Sequence, residues 1–274
     1  MIELEVDPFV FDARVAGPPD GDVVLLLHGF PQTSWEWRHQ LDALAARGYR
    51  AVAPDQRGYS PRARPLEVEA YHPERLVEDV LGMADALGAD RFHLVGHDFG
   101  GLVAWHTAAR HADRLASVTV VSTPHPRVMA RSILEGGEQR EKSSYMLFFR
   151  SPDAEPYFLD NDAAGLRQLF AASELTDVDD YLRVLTEPGA LTAALNWYRA
   201  LDRDVIERMG PVTSPTLYVW STEDPALGRA AAEATGAHVD GPFRFEVLDG
   251  VGHFVPELAA EALNRLLLEQ LGTR

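Results

Sequence analysis

Three short segments hold the side chains that can do covalent chemistry. The first is Gly96-His97-Asp98-Phe99-Gly100-Gly101, which follows an apolar run ending at Val95 and precedes a helix-period stretch. Small residues on both sides of a sharp strand-to-helix turn leave the central side chain exposed at the strand end. This is the layout of a nucleophile elbow, with Asp98 where a serine often stands. An Asp that merely caps the next helix is the simpler alternative. The strand before, the helix after and the extra Gly101 favour the elbow.

The second segment, His28-Gly29-Phe30-Pro31, follows the run Val23-Val24-Leu25-Leu26-Leu27. A backbone N–H near Phe30 and the N–H of Phe99 are placed to converge on one oxygen as an oxyanion hole. Pro31 marks a turn in which a cis bond would fit, and His28 reads as a structural hydrogen-bonding residue. The third segment is Gly250-Val251-Gly252-His253-Phe254. The chain has 10 histidines, and any one of them is by default a core or surface residue. His253 differs because it follows the last strand, where the order nucleophile, acid, base puts the base. Asp224, after the run Tyr218-Val219-Trp220, is then the acid that orients the imidazole. Glu223 and Asp249 are its rivals, whereas Ser122-Thr123-Pro124-His125 offers no carboxylate.

These residue types select a reaction. A carboxylate with an ordinary pKa of ~3.9 is already ionised at pH 7 and needs no base to become a nucleophile. It is a weak one, suited to a strained or activated sp³ carbon rather than to esters and amides. Attack leaves an alkyl ester on Asp98. His253 then activates water, Asp224 stabilises the imidazolium, and the Phe30 and Phe99 N–H groups hold the oxyanion, each donor contributing roughly 10²–10³ in rate.

The surrounding elements must bring these segments together. Short β-rich runs at Val23 to Leu27, Tyr49 to Asp55, Phe92 to Val95 and Ala116 to Ser122 alternate with helical stretches at Trp35 to Arg47, Glu74 to Leu87 and Gly100 to His111. Near-continuous apolar runs suit strands buried on both faces of a parallel sheet. After Pro124 the pattern becomes helical, and strands resume at Thr216 to Trp220 and Phe243 to Leu248 before a last helix at about Glu257 to Leu271. A parallel-sheet α/β domain interrupted by a helical insertion is the expected architecture.

The chain has 274 residues, 46% hydrophobic and 24% charged, which suits one large domain or a domain with an insertion. A formal charge of −17 argues against nucleic acid or an anionic membrane as partner. There are no cysteines, hence no disulfides and no thiolate metal sites. Met1 to Glu5 has neither the basic nor the apolar part of a secretory signal, and no apolar run approaches the ~20 residues of a membrane helix. A cytoplasmic protein is expected. A single lysine, Lys142, among 25 basic residues is a bias associated with bacteria of high G+C content.

Taken together, the motifs resemble the α/β-hydrolase superfamily, and within it the epoxide hydrolases. The resemblance rests on His28-Gly29-Phe30-Pro31 with Trp35 and Trp37, on Asp55-Gln56-Arg57-Gly58-Tyr59-Ser60, on the Asp98 segment and on Gly252-His253. It implies an eight-stranded, mostly parallel sheet flanked by helices, a core domain of residues 1–124 and 210–274, and a helical cap of residues 125–209. The family carries two lid tyrosines, which match Tyr145 in Tyr145-Met146-Leu147-Phe148-Phe149-Arg150 and Tyr198 in Asn196-Trp197-Tyr198-Arg199. The chain departs from the family pattern at Phe99, where a tryptophan is common, and at Ser60-Pro61-Arg62.

An opened epoxide leaves an alkoxide that phenolic O–H groups can protonate, whereas a halide needs only weak N–H donors. The two tyrosines therefore favour a small-molecule epoxide, hydrated to a vicinal diol without cofactor or metal. Phe30, Trp35, Phe99, Phe148 and Trp197 are the expected apolar walls. A haloalkane dehalogenase with the same Asp98, His253 and Asp224 is the alternative, since any of the 5 tryptophans can supply an indole N–H. Fluoroacetate dehalogenases typically place Arg where Phe99 stands. A non-catalytic ligand-binding member is the remaining alternative. Monomer and homodimer are both compatible with the sequence.

Overall fold

The computed structural model describes residues 1–272. Eight strands form one sheet: β1 (Ile2–Val6), β2 (Phe9–Ala16), β3 (Val23–Leu27), β4 (Arg50–Pro54), β5 (Phe92–His97), β6 (Leu115–Val121), β7 (Thr216–Ser221) and β8 (Phe243–Leu248). Their order is β1-β2-β4-β3-β5-β6-β7-β8. The β1–β2 and β2–β4 pairs are antiparallel, and every pairing from β4 through β3 to β8 is parallel.

Strand periodicity divides the interior. In β3, Val23, Leu25 and Leu27 point into one apolar core, and Val24 and Leu26 into the other. All five are buried, so the run has no polar face to alternate with, as expected of a central parallel strand. Helices α1 (Arg38–Ala45), α12 (Val255–Leu258) and α13 (Ala260–Leu271) cover the Val24 face, and α2 (Pro73–Ala86) and α3 (Phe99–Arg110) the Leu25 face. Helix α2 buries Leu76, Val77, Val80, Met83 and Ala84 at helical spacing, begins with Pro73 and is followed by Gly88 at φ +73°.

Two boundaries differ from the sequence reading. The Trp35 to Arg47 stretch begins as a 3₁₀ turn at Ser34–Trp37 before α1. The last helix is divided because Ala259, at φ −132° and ψ 39°, leaves the helical region between α12 and α13.

Between β6 and β7 the chain carries α4 (Pro126–Glu135), α5 (Glu138–Lys142), α6 (Tyr145–Phe149), α7 (Ala154–Ala172), α8 (Asp179–Leu185), α9 (Ala190–Arg199) and α10 (Arg203–Glu207). Helix α7 is broken at Asp160 to Ala163, where the backbone leaves helical angles. These helices pack on the sheet domain: Trp197 Nε1 donates to the Arg57 carbonyl at 2.9 Å and Arg64 reaches Glu187 at 3.1 Å. The remaining helix, α11 (Arg229–Ala234), lies between β7 and β8. Among the described residues, no helix is long and apolar enough to cross a membrane.

Candidate active site

The sheet's register brings the reactive loops together. Leu27 pairs with Gly96, His97 with Val121, Val121 with Val219, and Ser221 with Leu248. The loops after β3, β5, β7 and β8 therefore leave the same carboxyl edge. Strands β4 and β5 lie on opposite sides of β3, and the crevice at such a switch point is the usual ligand position in an open α/β sheet.

Asp98 lies on the elbow between β5 and α3 at φ +50° and ψ −117°. For a residue with a Cβ this backbone costs on the order of 1–3 kcal/mol, a strain typical of functional positions. The turn closes so tightly that a Cβ on Gly96 would collide with the Gly100 carbonyl, and one on Gly29 with the Asp98 side chain itself. The Asp98 carbonyl is held by Thr123 Oγ1 at 2.7 Å.

The two carboxylate oxygens of Asp98 have different neighbours. Oδ1 accepts the Phe30 backbone N–H at 2.9 Å, and Oδ2 lies 3.5 Å from His253 Nε2. His253 Nδ1 meets Asp224 Oδ2 at 2.7 Å. Asp224 Oδ1 accepts the backbone N–H groups of Ala226 at 2.8 Å and Leu227 at 2.9 Å, so the acid is fixed by its own loop. Its rivals Glu223 and Asp249 are exposed. Burial opposes the charge on Asp98, but the His253 ring and the Phe30 N–H outweigh it and hold the carboxyl below its ordinary pKa. Burial likewise opposes charge on His253, yet Asp224 and then Asp98 raise its pKa well above that of free imidazole.

Two cavities open from Asp98, of about 700 Å³ and about 540 Å³, and both include Tyr145 and Tyr198 in their walls. The two tyrosine rings are 6.3 Å apart. Tyr198 packs edge-on against Phe99 at 4.7 Å and Phe30 at 5.5 Å. Burial, followed by the Asp98 charge, pushes both phenols above their ordinary pKa, so they remain protonated donors. Phe30 and Phe148 line the larger cavity and Phe99 the smaller. The Phe30–Pro31 peptide is cis. His28 donates from Nδ1 to the Gly29 carbonyl at 3.0 Å and accepts the Gln56 N–H on Nε2 at 3.1 Å.

Two expected wall residues lie elsewhere. Trp35 stacks between Arg14 and Arg38, 4.5 and 4.9 Å from its ring, over a separate depression. The 3₁₀ turn after Thr33 carries it away from Asp98. Trp197 is buried behind Phe99, stacked on His28 at 6.0 Å, and its indole is spent on the Arg57 carbonyl.

The sequence reading named Tyr145, Phe148 and Tyr198 on the inner face of the helical insertion but missed its other residues. Phe149, Phe158 and Leu169 line the larger cavity, and only the Tyr145-Phe149 spacing hints at a shared helix side. It also missed Gln139, whose side chain bonds the Ala226 carbonyl and the Gly228 N–H, and Lys142, which donates to the Asp224 carbonyl at 2.5 Å. Glu36, fully buried beside His97, carried no sequence signal at all.

The alpha/beta hydrolase fold model matches residues 22–260. The chain is 36% identical to AB hydrolase superfamily protein YfhM of Bacillus subtilis, covering 93% of this chain and 92% of that one. It is 34% identical, with the same coverage, to Epoxide hydrolase A of Mycobacterium tuberculosis. Among solved structures, an epoxide hydrolase from metagenomes of hot environments superposes with a TM-score of 0.89 at 30% identity, covering 100% of this chain and 98% of that one. The carboxyl-edge elbow, the eight-stranded sheet and these likenesses agree: the chain belongs to the α/β-hydrolase family, in its epoxide hydrolase branch.

Proposed function

We propose that this chain adds water to an epoxide to give a vicinal diol, through an alkyl ester on Asp98. One observation carries the reading. Asp98 has one oxygen on a backbone N–H and the other beside an acid-backed histidine, at the junction of two cavities whose walls hold two phenols.

In the first step Asp98 Oδ2 attacks a ring carbon, the C–O bond breaks, and the departing oxygen takes a proton from Tyr145 or Tyr198. The new ester removes the Asp98 charge, one of the two that hold the proton on His253; the Nε2 proton then passes to the phenolate left by ring opening, and the neutral imidazole becomes able to act as a base. His253 Nε2 then takes a proton from water, whose oxygen attacks the Asp98 carbonyl carbon. Charge develops on Oδ1, which the Phe30 N–H already holds in the resting state; the Phe99 N–H is the proposed second donor. Collapse breaks the bond between the carbonyl carbon and Oδ2. Oδ2 leaves with the diol and takes a proton from the His253 imidazolium, and the acid proton left on the water-derived oxygen of Asp98 returns to His253, restoring the resting carboxylate and imidazolium. Residues 125–209 serve as the cap that carries the proton donors and excludes water from the ring-opening step.

The tryptophan environments disfavour halide as leaving group. Among the described residues, no tryptophan lines either cavity. Trp105, Trp197 and Trp220 give their indole N–H to the carbonyls of Thr123, Arg57 and Leu227, and Trp37 lies in the core on the opposite sheet face.

The test is a His253→Gln variant incubated with styrene oxide and, separately, with haloalkanes, followed by mass spectrometry of its peptides. The expected result is one diol-forming adduct on the peptide containing Asp98, from the epoxide alone. Label on another residue, or an adduct formed only with release of halide, would defeat the reading.

A further inference from the structure

His253 is held through its backbone as well as its ring. Its carbonyl oxygen accepts Ser122 Oγ at 3.0 Å and meets His97 Nε2 at 3.0 Å. His97 is fully buried, and its other nitrogen, Nδ1, lies 3.2 Å from Glu36 Oε2. Glu36, on the 3₁₀ turn Ser34–Trp37, is also fully buried. None of these contacts is used by the hydrolysis cycle above.

The polarity of the chain of contacts follows from donor and acceptor chemistry. A carbonyl oxygen only accepts, so His97 Nε2 carries the hydrogen. A neutral imidazole with Nε2–H has a lone pair on Nδ1. A carboxylate facing that lone pair at 3.2 Å would set two acceptors against each other. The contact is attractive only if Glu36 is itself protonated and donates, or if His97 is a buried cation. Burial argues against the cation, lowering the pKa of His97 to about 4 with the neighbouring His253 adding to the effect. Burial, followed by the negative charges of Glu257 and Asp98, favours the protonated acid by pushing Glu36 far above the ordinary carboxyl range. The His253 charge and the Gly29 backbone N–H act the other way and are the smaller influences.

We propose that Glu36 is a positioning residue for the reaction: as an uncharged carboxylic acid it donates to His97 Nδ1 and fixes the ring that holds the His253 backbone carbonyl. The inference rests on the hydrolysis cycle for its catalytic part and on hydrogen-bond polarity and the burial of both groups for its structural part. Without the Glu36 donor His97 is free to take its other tautomer. Nε2 then presents a lone pair to the His253 carbonyl, and the Nε2 of His253 loses its fixed distance from the ester. Misplacement of a base by about 1 Å costs on the order of 10²-fold in rate.

Two measurements test this separately. In ¹⁵N-histidine-labelled wild type at pH 7, the His97 signal, assigned by its loss in His97→Gln, should show a proton on Nε2 and none on Nδ1. A proton on Nδ1, alone or in a doubly protonated ring, overturns the assignment of a neutral Glu36. Single-turnover kinetics on Glu36→Leu and Glu36→Gln give the second. Hydrolysis of the Asp98 ester should slow about 10–100-fold in Glu36→Leu, with ester formation unchanged, while Glu36→Gln, whose amide N–H still donates, recovers most of the rate. Equal losses in the two variants, or parallel losses in both steps, overturn the positioning role. A wild type that never forms the ester overturns the cycle instead, and leaves the tautomer as an independent reading.

Discussion

Replacing Asp224 by Asn separates the two halves of the proposed reaction. The wild-type carboxylate uses Oδ1 for the N–H groups of Ala226 and Leu227 and Oδ2 for His253 Nδ1 at 2.7 Å. In the variant the amide oxygen keeps the two backbone donors, because an NH₂ group there would face N–H hydrogens. The amide NH₂ therefore points at His253 Nδ1, which must become the acceptor, and the imidazole proton moves to Nε2. A ring protonated at Nε2 cannot take a proton from water. General base catalysis typically contributes about 10²–10⁴ in rate, or about 3–5 kcal/mol at 1.36 kcal/mol per tenfold. Ester formation requires no proton transfer to His253, so it should change by less than about tenfold. Rapid-quench mixing with an epoxide, read by intact-protein mass and by diol release, measures both steps in one experiment. The expected outcome is an adduct approaching one per chain with slow diol release. Turnover within tenfold of wild type, or no adduct with both steps lost together, would refute the tautomer argument.

Two further outcomes follow from other parts of the molecule. Tyr145→Phe and Tyr198→Phe should each slow ester formation by about 10²-fold and leave ester hydrolysis unchanged; a stopped-flow assay that finds hydrolysis slowed instead would move the tyrosines out of the donor role. His106, on α3, is fully buried with no hydrogen-bond partner for either ring nitrogen among the described residues, and burial, followed by the Arg110 charge, lowers its pKa from 6.5 to about 3. Below pH 6.5 the unfolded chain binds a proton at this residue that the folded chain refuses, so its contribution to stability falls as pH falls. Urea unfolding of His106→Leu against wild type should therefore show a stability advantage that widens by about 1.4 kcal/mol for each pH unit between 6.5 and about 3. Parallel curves at pH 7 and pH 5 would contradict it.

The candidate site residues were readable because topology, not composition, locates them. Asp98 and Asp224 follow buried strands and His253 follows the half-buried edge strand β8, and parallel strands that share a carboxyl edge bring such loops together wherever they fall in the sequence. Strands β1 and β2 left a weaker mark, since an antiparallel edge hairpin with partly exposed residues shows little contrast between its faces. Trp35 and Trp197 misled because nearness in sequence to a reactive loop says nothing about direction: a 3₁₀ turn rotates one away, and a carbonyl partner holds the other behind Phe99. Glu36 was illegible for a related reason. A single carboxylate in a tryptophan-rich turn looks like a solvated residue until tertiary packing encloses it.

The helical segment α4–α10 enters and leaves the sheet between two neighbouring strands, β6 and β7. In the proposed cycle, capture of the substrate draws on both stretches of polypeptide, whereas its release draws on the sheet domain and, from the insertion, on Gln139 and Lys142, which hold the Asp224 loop. A lineage, or a protein engineer, can thus exchange the whole helical segment at one pair of adjacent splice points and alter which leaving groups are tolerated. The residues proposed to cleave the ester would pass through such an exchange, provided the new segment keeps the Gln139 and Lys142 bonds to the Asp224 loop.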